Sequence, residues 1–288
     1  MRSALLFGAS GQIGEALCAR LCAAGWSVIA VSRHPRQATD AAAVHWLHAD
    51  LSGAALWPAQ VDAIFSCGPL DLFSLWYAAN AQLRCPRVVA FGSTSADVKH
   101  DSPDADERAL AKLLRDSEAR VFAASTSRAA HATVLRPTLV YGAGRDQTLT
   151  SIARIARHTG WFVLPTGAVG LRQPVHVEDL AQAAHAAADD VRAHGRTYAL
   201  PGGETLPYRE MVRRTLASLQ PPARLLEVPV PVFRAALASA RLTGRLTSAS
   251  SAVLGRMRQH LVFDAGPAAD DFGYAPRGFD PAPGTFIR

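Results

Sequence analysis

Apolar residues recur along this chain in two alternating rhythms. Mainly apolar segments at 4–7, 28–32, 45–49, 61–66, 87–91 and 132–136 predict strands covered on both faces. Between them the spacing becomes helical. Ile13, Ala16, Leu17 and Leu21 predict a first helix that Gly25 ends, with further helices over 72–83 and 105–125. Strand and helix alternating in this way predict an α/β fold, a doubly wound and mostly parallel sheet with helices on both faces.

Past Pro137 the pattern loosens. Gly and Pro gather at 142–144, 165–170, 201–207 and 221–231, as in long loops. Helices are expected at 147–158, 178–189, 208–218 and 233–242, and a seventh strand at 197–200. The expected division is a nucleotide-binding domain over 1–200 and a smaller C-terminal substrate or lid region over 201–288. Within the latter, 276–286 is expected to lie extended against the body.

Composition narrows the function classes. Of 288 residues 49% are hydrophobic and 19% charged, as in an ordinary globular protein. No apolar run reaches about 18 residues, so no transmembrane span is expected. The short apolar start runs straight into glycines and reads as a strand, not as a signal peptide. Cys18, Cys22, Cys67 and Cys85 form no disulfide framework and no metal-ligand spacing, and a reducing cytoplasm fits them. The formal charge is +6, and Lys99 and Lys112 are the only lysines. Scattered arginines without interleaved aromatics argue against nucleic acid and suit an anionic small molecule.

The most specific signal lies at Gly8-Ala9-Ser10-Gly11-Gln12-Ile13-Gly14, between a strand and an apolar-periodic helix. Such a turn lets backbone approach a pyrophosphate, which the unpaired N–H groups of the helix N-terminus then hold. Where an acidic residue would close the second strand and bind the 2′-hydroxyl of NAD, this chain has Ser32-Arg33. A guanidinium there pairs with a 2′-phosphate, so NADP(H) is expected ahead of NAD(H); a solvated loop arginine is the competing reading. Asp50-Leu51 ends the third strand beside the expected adenine pocket. Cys67, Gly68 and Pro69 follow the fourth, close to the ribose.

Taken with Phe91-Gly92-Ser93-Thr94-Ser95, the stretch 135–142, the stretch 172–181 and the tail at 272–277, these residues resemble the short-chain dehydrogenase/reductase superfamily. The likeness is to its extended and atypical branches, which include nucleotide-sugar epimerases and dehydratases. The resemblance implies a Rossmann-type fold and a nicotinamide pocket shaped by Arg136, Pro137, Tyr141 and Gly142. It also places Arg172 and His176 on the substrate side, although His176 equally suits a structural role at the start of the helix that follows.

The family's proton-transfer pattern is a tyrosine four residues before a lysine on one helix, with a Ser or Thr ending the fifth strand. Thr94 matches the hydroxyl, facing substrate. Lys112 is the lysine of the long helix, expected either to bind the nicotinamide ribose or to stand on the surface. Four residues before it stands Arg108, whose guanidinium keeps its proton and can only orient or stabilise an anion. No tyrosine occurs between Tyr77 and Tyr141, so a phenol would have to come from Tyr141. Two functions follow. One is an oxidoreductase or epimerase-like enzyme with altered acid–base chemistry, acting on a carbonyl or nucleotide-sugar-like substrate. The other is a nucleotide-binding accessory or redox-sensing protein. A homodimer or a protein partner is compatible with both.

Overall fold

A computed structural model describes residues 1–34, 43–51, 53, 55–235 and 255–286. In chain order the strands are β1 (Ser3–Phe7), β2 (Ser27–Ser32), β3 (Val44–His48), β4 (Ala63–Ser66), β5 (Arg87–Phe91), β6 (His131–Pro137), β7 (Val140–Tyr141), β8 (Trp161–Pro165), β9 (Leu171–Arg172), β10 (Val175–His176), β11 (Arg196–Leu200), β12 (Leu206–Pro207) and β13 (Arg224–Val228). The main helices are α1 (Gln12–Ala23), α2 (Leu70–Ala79), α3 (Ser95–Val98), α4 (Ala105–Thr126), α5 (Leu149–Thr159), α6 (Val177–Asp189) and α7 (Tyr208–Ala217).

Two compact units interleave in sequence. The first is Met1–Thr138, Val177–Leu200 and Asp264–Pro276; the second is Leu139–His176, Pro201–Phe263 and Arg277–Arg288. The expected boundary at residue 200 is thus only one of several passages. The chain already leaves the first unit after β6 and returns to it with α6.

The first unit is a seven-stranded sheet in the order β11-β6-β5-β4-β1-β2-β3, with every pairing parallel. Successive residues of a strand point to opposite faces, so a strand buried on both sides reads as a continuous apolar run. On one face Leu5, Phe7, Ile64, Val88 and Ala90 pack with Phe73, Trp76 and Tyr77 of α2 and Val121 of α4. Alternate positions face the other way, where Trp26 lies edge-on to Phe65 at 6.1 Å and to His185 at 5.9 Å. There α1 packs against α6, whose buried Ala181, Ala184 and Ala188 let the two helices approach closely. Leu5, Leu6, Leu17 and Leu21 have no exposed surface, and each such burial contributes about 2 kcal/mol. Cys18 is buried as well, which pushes its thiol pKa up to about 12.

In the second unit β8 and β13 pair in parallel, with α5 and α7 beside them. Its core holds Leu149, Ile152, Leu164, Met211, Leu216, Phe279 and Phe286, the last two from the C-terminal tail. Strand β13 falls inside 221–231, where only loop was expected. Its burial alternates unevenly and prolines flank it, so no apolar run announces it. The helix expected over 233–242 lies largely outside the described residues; 230–235 are helical, and 236–242 are not described.

Candidate functional site

The strand order reverses between β1 and β4, and parallel sheets bind ligands at the carboxyl ends of the strands beside such a reversal. The glycine turn stands there. Gly8 adopts φ +69°, and Gly11 N–H donates to its carbonyl at 2.8 Å. A β-carbon at Gly8 would lie 2.8 Å from the Cys67 carbonyl carbon, and one at Gly14 would lie 2.0 Å from the Gly8 oxygen. Backbone on both sides therefore excludes any side chain. Gly11 is the N-cap of α1 with no side chain capping it, and the first-turn N–H groups have no intrahelical acceptor.

The remaining cofactor candidates of the first unit lie at the carboxyl ends of neighbouring strands. Ser32 is buried at the end of β2 and its hydroxyl accepts the His34 N–H at 3.3 Å, while Arg33 is exposed. His48 Nε2 donates to the Arg33 carbonyl at 3.0 Å, fixing the backbone between β2 and β3. Asp50 is exposed and its carbonyl accepts the Gly53 N–H, while Leu51 packs against the core beside α2. Cys67 N–H donates to the Phe7 carbonyl at 3.0 Å, and burial raises its thiol pKa. Gly68 faces open space, and Pro69 opens α2.

Dinucleotide chemistry fits this cradle. Gln12 Oε1 and Ser66 Oγ are buried beside it without a hydrogen-bond partner. Gln12 belongs to the turn that the glycine spacing picks out; Ser66 was not singled out by any spacing. Strand burial was the signal for Ser66, a polar residue closing the apolar β4.

The candidates for proton transfer are arranged differently. Thr94 is 7% exposed, and its Oγ1 and N–H both donate to the Pro137 carbonyl, at 3.2 and 3.3 Å. This joins the ends of β5 and β6. Just beyond, Arg136 makes a two-pronged bond with Glu118 of α4 and reaches Asp97 of α3 at 2.6 Å. The hydrogen bond to Glu118, above all, holds the guanidinium pKa above its ordinary value. Gly92 makes room for it, since a β-carbon there would lie 2.8 Å from Glu118 Oε1.

Lys112, by contrast, is 73% exposed and paired with Asp116 one turn on. Arg108 is exposed too, and donates to the carbonyls of Ser102 and Pro103 at 2.7 and 2.9 Å, tying down the loop before α4. The helix turns Ala111, Ser117, Glu118 and Val121 inward instead.

In the second unit Tyr141 is 2% exposed, edge-on to His176 at 5.1 Å and to Phe279 at 4.9 Å. The β7–β10 register pairs Tyr141 with His176, and Gly142, at φ +114°, leaves the room the His176 ring fills. Arg172 is buried. Its guanidinium donates to the carbonyls of Leu171 and Gln259, at 2.8 and 2.7 Å, and to that of Arg256. Burial lowers its pKa. Three of its donors thus hold backbone.

A parallel sheet with a sterically enforced glycine turn at its switch point defines a protein of the Rossmann-type dinucleotide-binding class. Residues 4–72 and 68–200 match the NAD dependent epimerase/dehydratase family, and the chain belongs to that family. Among curated proteins it is similar to the uncharacterized protein YbjS of Escherichia coli K12, 24% identical over 151 residues. That match takes in 50% of this chain and 45% of the relative, so the chain spans about half the length of the curated relative. Among solved structures it is similar to UDP-glucuronic acid 4-epimerase from Bacillus cereus in complex with NAD, with TM-score 0.72, 11% identity, and 99% and 94% of the two chains covered. It is likewise similar to the terminal R domain of the myxalamid PKS-NRPS pathway, with TM-score 0.71, 18% identity, and 100% and 90% covered. At these identities the likeness is one of fold.

Proposed function

We propose that the chain binds a nicotinamide dinucleotide at the switch point, NADP(H) ahead of NAD(H), for an oxidoreductase or epimerase-like step on a carbonyl or nucleotide-sugar-like substrate. The observation that carries this reading is the glycine cradle, whose geometry excludes side chains at Gly8 and Gly14 beside the unpartnered Gln12 and Ser66 oxygens. The pyrophosphate belongs on the first turn of α1, at Ser10, Gly11, Gln12 and Ile13. Arg33, with Ser32, meets the 2′-phosphate; Asp50 and Leu51 flank the adenine, and Cys67, Gly68 and Pro69 follow the ribose. When bound, the nicotinamide supplies hydride exchange with a carbinol or carbonyl carbon. Thr94, with its proton directed at Pro137, presents its lone pairs to a substrate hydroxyl. Membership of the NAD dependent epimerase/dehydratase family supports the dinucleotide.

A second reading, nucleotide binding without turnover, is favoured by the placement of Lys112 and Arg108. Asp116 and the Ser102 and Pro103 carbonyls occupy the two side chains that would otherwise manage charge near the nicotinamide.

Calorimetric titration with NADPH and NADH, followed by incubation of deuterated NADPH with a panel of carbonyl compounds and nucleotide sugars, tests both. Tighter NADPH binding with deuterium transfer is the expected result. Binding without transfer across the panel selects the second reading. Binding of neither nucleotide by folded protein overturns both.

A further inference from the structure

The two units differ sharply in charge. Among the described residues the first holds fourteen basic and eighteen acidic residues; the second holds twelve basic and only five acidic, every basic one an arginine. Four of those five carboxylates are already committed. Asp146 accepts the first N–H groups of α5, Arg213 and Arg214 hold Glu204 and Glu210, and Glu227 lies 3.7 Å from Arg209. The positive field of the second unit is therefore largely uncompensated from within.

The β8–β13 pair sets one of those arginines, Arg224, beside apolar surface, with Arg157 of α5 close by in sequence. Phe162 and Leu225 are register partners that pack on the core, and Glu227 turns toward Arg209 of α7, so these positions face the helices. Strand alternation places Trp161, Val163, Arg224 and Leu226 on the opposite face. The register sets Trp161 against Arg224 and Val163 against Leu226, with Trp161 46% and Leu226 44% exposed. Arg157 and His158, exposed in the last turn of α5, stand just before the Gly160 turn into Trp161, and Arg224 N–H donates to the Gly160 carbonyl at 3.0 Å.

We infer that this face docks the second unit on an anionic lipid bilayer. Arginines draw it to the negative headgroups, and the indole of Trp161 with the Leu226 and Val163 side chains enters the boundary between headgroups and acyl chains. A nucleic acid would meet the charge equally well. It would leave Leu226 and Val163 without a role, because aliphatic side chains give bases no stacking surface.

Co-sedimentation of the full chain with phosphatidylcholine vesicles containing phosphatidylglycerol, against phosphatidylcholine alone, tests the inference. Binding to the anionic vesicles that weakens with added salt is expected. Trp161→Ala with Leu226→Ser should weaken it about tenfold, and Arg224→Ala about fivefold, with Arg224→Lys retaining most of it. Circular dichroism and thermal melts establish that each variant is folded. Equal binding to both vesicle types, or anionic binding that folded face variants do not change, overturns the inference. So does binding of single-stranded RNA without binding of vesicles.

Discussion

A β-carbon at Gly14 would stand 2.0 Å from the carbonyl oxygen of Gly8. That oxygen already accepts the Gly11 N–H at 2.8 Å, so it cannot swing aside without undoing the turn. Gly14→Ala is expected to cost about 2 kcal/mol of stability and to abolish dinucleotide binding. Urea denaturation measures the first and calorimetry the second. Retention of wild-type NADPH affinity in the variant would remove the turn from the site.

Arg33 stands exposed at the carboxyl end of β2. Its removal should leave stability within about 0.5 kcal/mol. Affinity for NADPH should fall roughly 10- to 100-fold, the worth of a charge-assisted bond to phosphate, while that for NADH holds. Parallel titrations of Arg33→Ala decide this. A drop shared equally by the two nucleotides would speak against contact with a 2′-phosphate.

The parts of the fold that could be read from the sequence are those where one local pattern suffices. A parallel strand buried on both faces is an apolar run, so β1, β2, β4, β5 and β6 were legible, as was the turn that only glycine can make. Strand β13 was not, because one of its faces is open and its residues alternate without a buried run. The interleaving of the units was hidden too, since nothing local says which body a segment joins. Spacing put Arg108 and Lys112 on a common helical face, but only packing reveals that this face looks to solvent. The resemblance sets Arg172 on the substrate side, whereas its guanidinium holds backbone. Its acceptors at Arg256 and Gln259 lie 84 and 87 residues away, and no short-range signal points to them.

Glu118 is 4% exposed, and both oxygens of its carboxylate accept from the Arg136 guanidinium, at 2.9 Å through Nε. Glu118→Ala leaves a half-buried guanidinium with only Asp97 to balance it. A loss of about 3 kcal/mol is expected in chemical denaturation. A loss below about 1 kcal/mol would mean that Asp97 and solvent suffice, as for a surface pair.

Lys112 provides the contrast. Its exposed pair with Asp116 is worth only about 0.3–0.5 kcal/mol, so Lys112→Ala should be nearly neutral for stability. NADPH affinity should also stay within about twofold, well under the 1.4 kcal/mol that a tenfold change requires. A tenfold loss measured by calorimetry would show that the lysine leaves Asp116 to reach the nucleotide.

Acid should act on the second unit through Arg214, which bonds Glu204 at 2.8 Å, Glu210 at 2.8 Å and the Phe279 carbonyl at 2.9 Å. Hydrogen bonds from Arg213 and then Arg214 hold the Glu210 carboxyl at about 2, and Arg214 lowers that of Glu204. In the unfolded chain both return to about 4.3. Between that value and about pH 2 the unfolded chain binds more protons than the folded one. The stabilisation is therefore complete above about pH 4.5 and is lost progressively as pH falls toward 2. Arg214→Ala should flatten this acid limb in part, because Arg213 still holds Glu210. Urea midpoints followed from about pH 5 down to about pH 3 in both proteins measure it. Equal slopes for the two would remove Arg214 as the origin of the acid sensitivity.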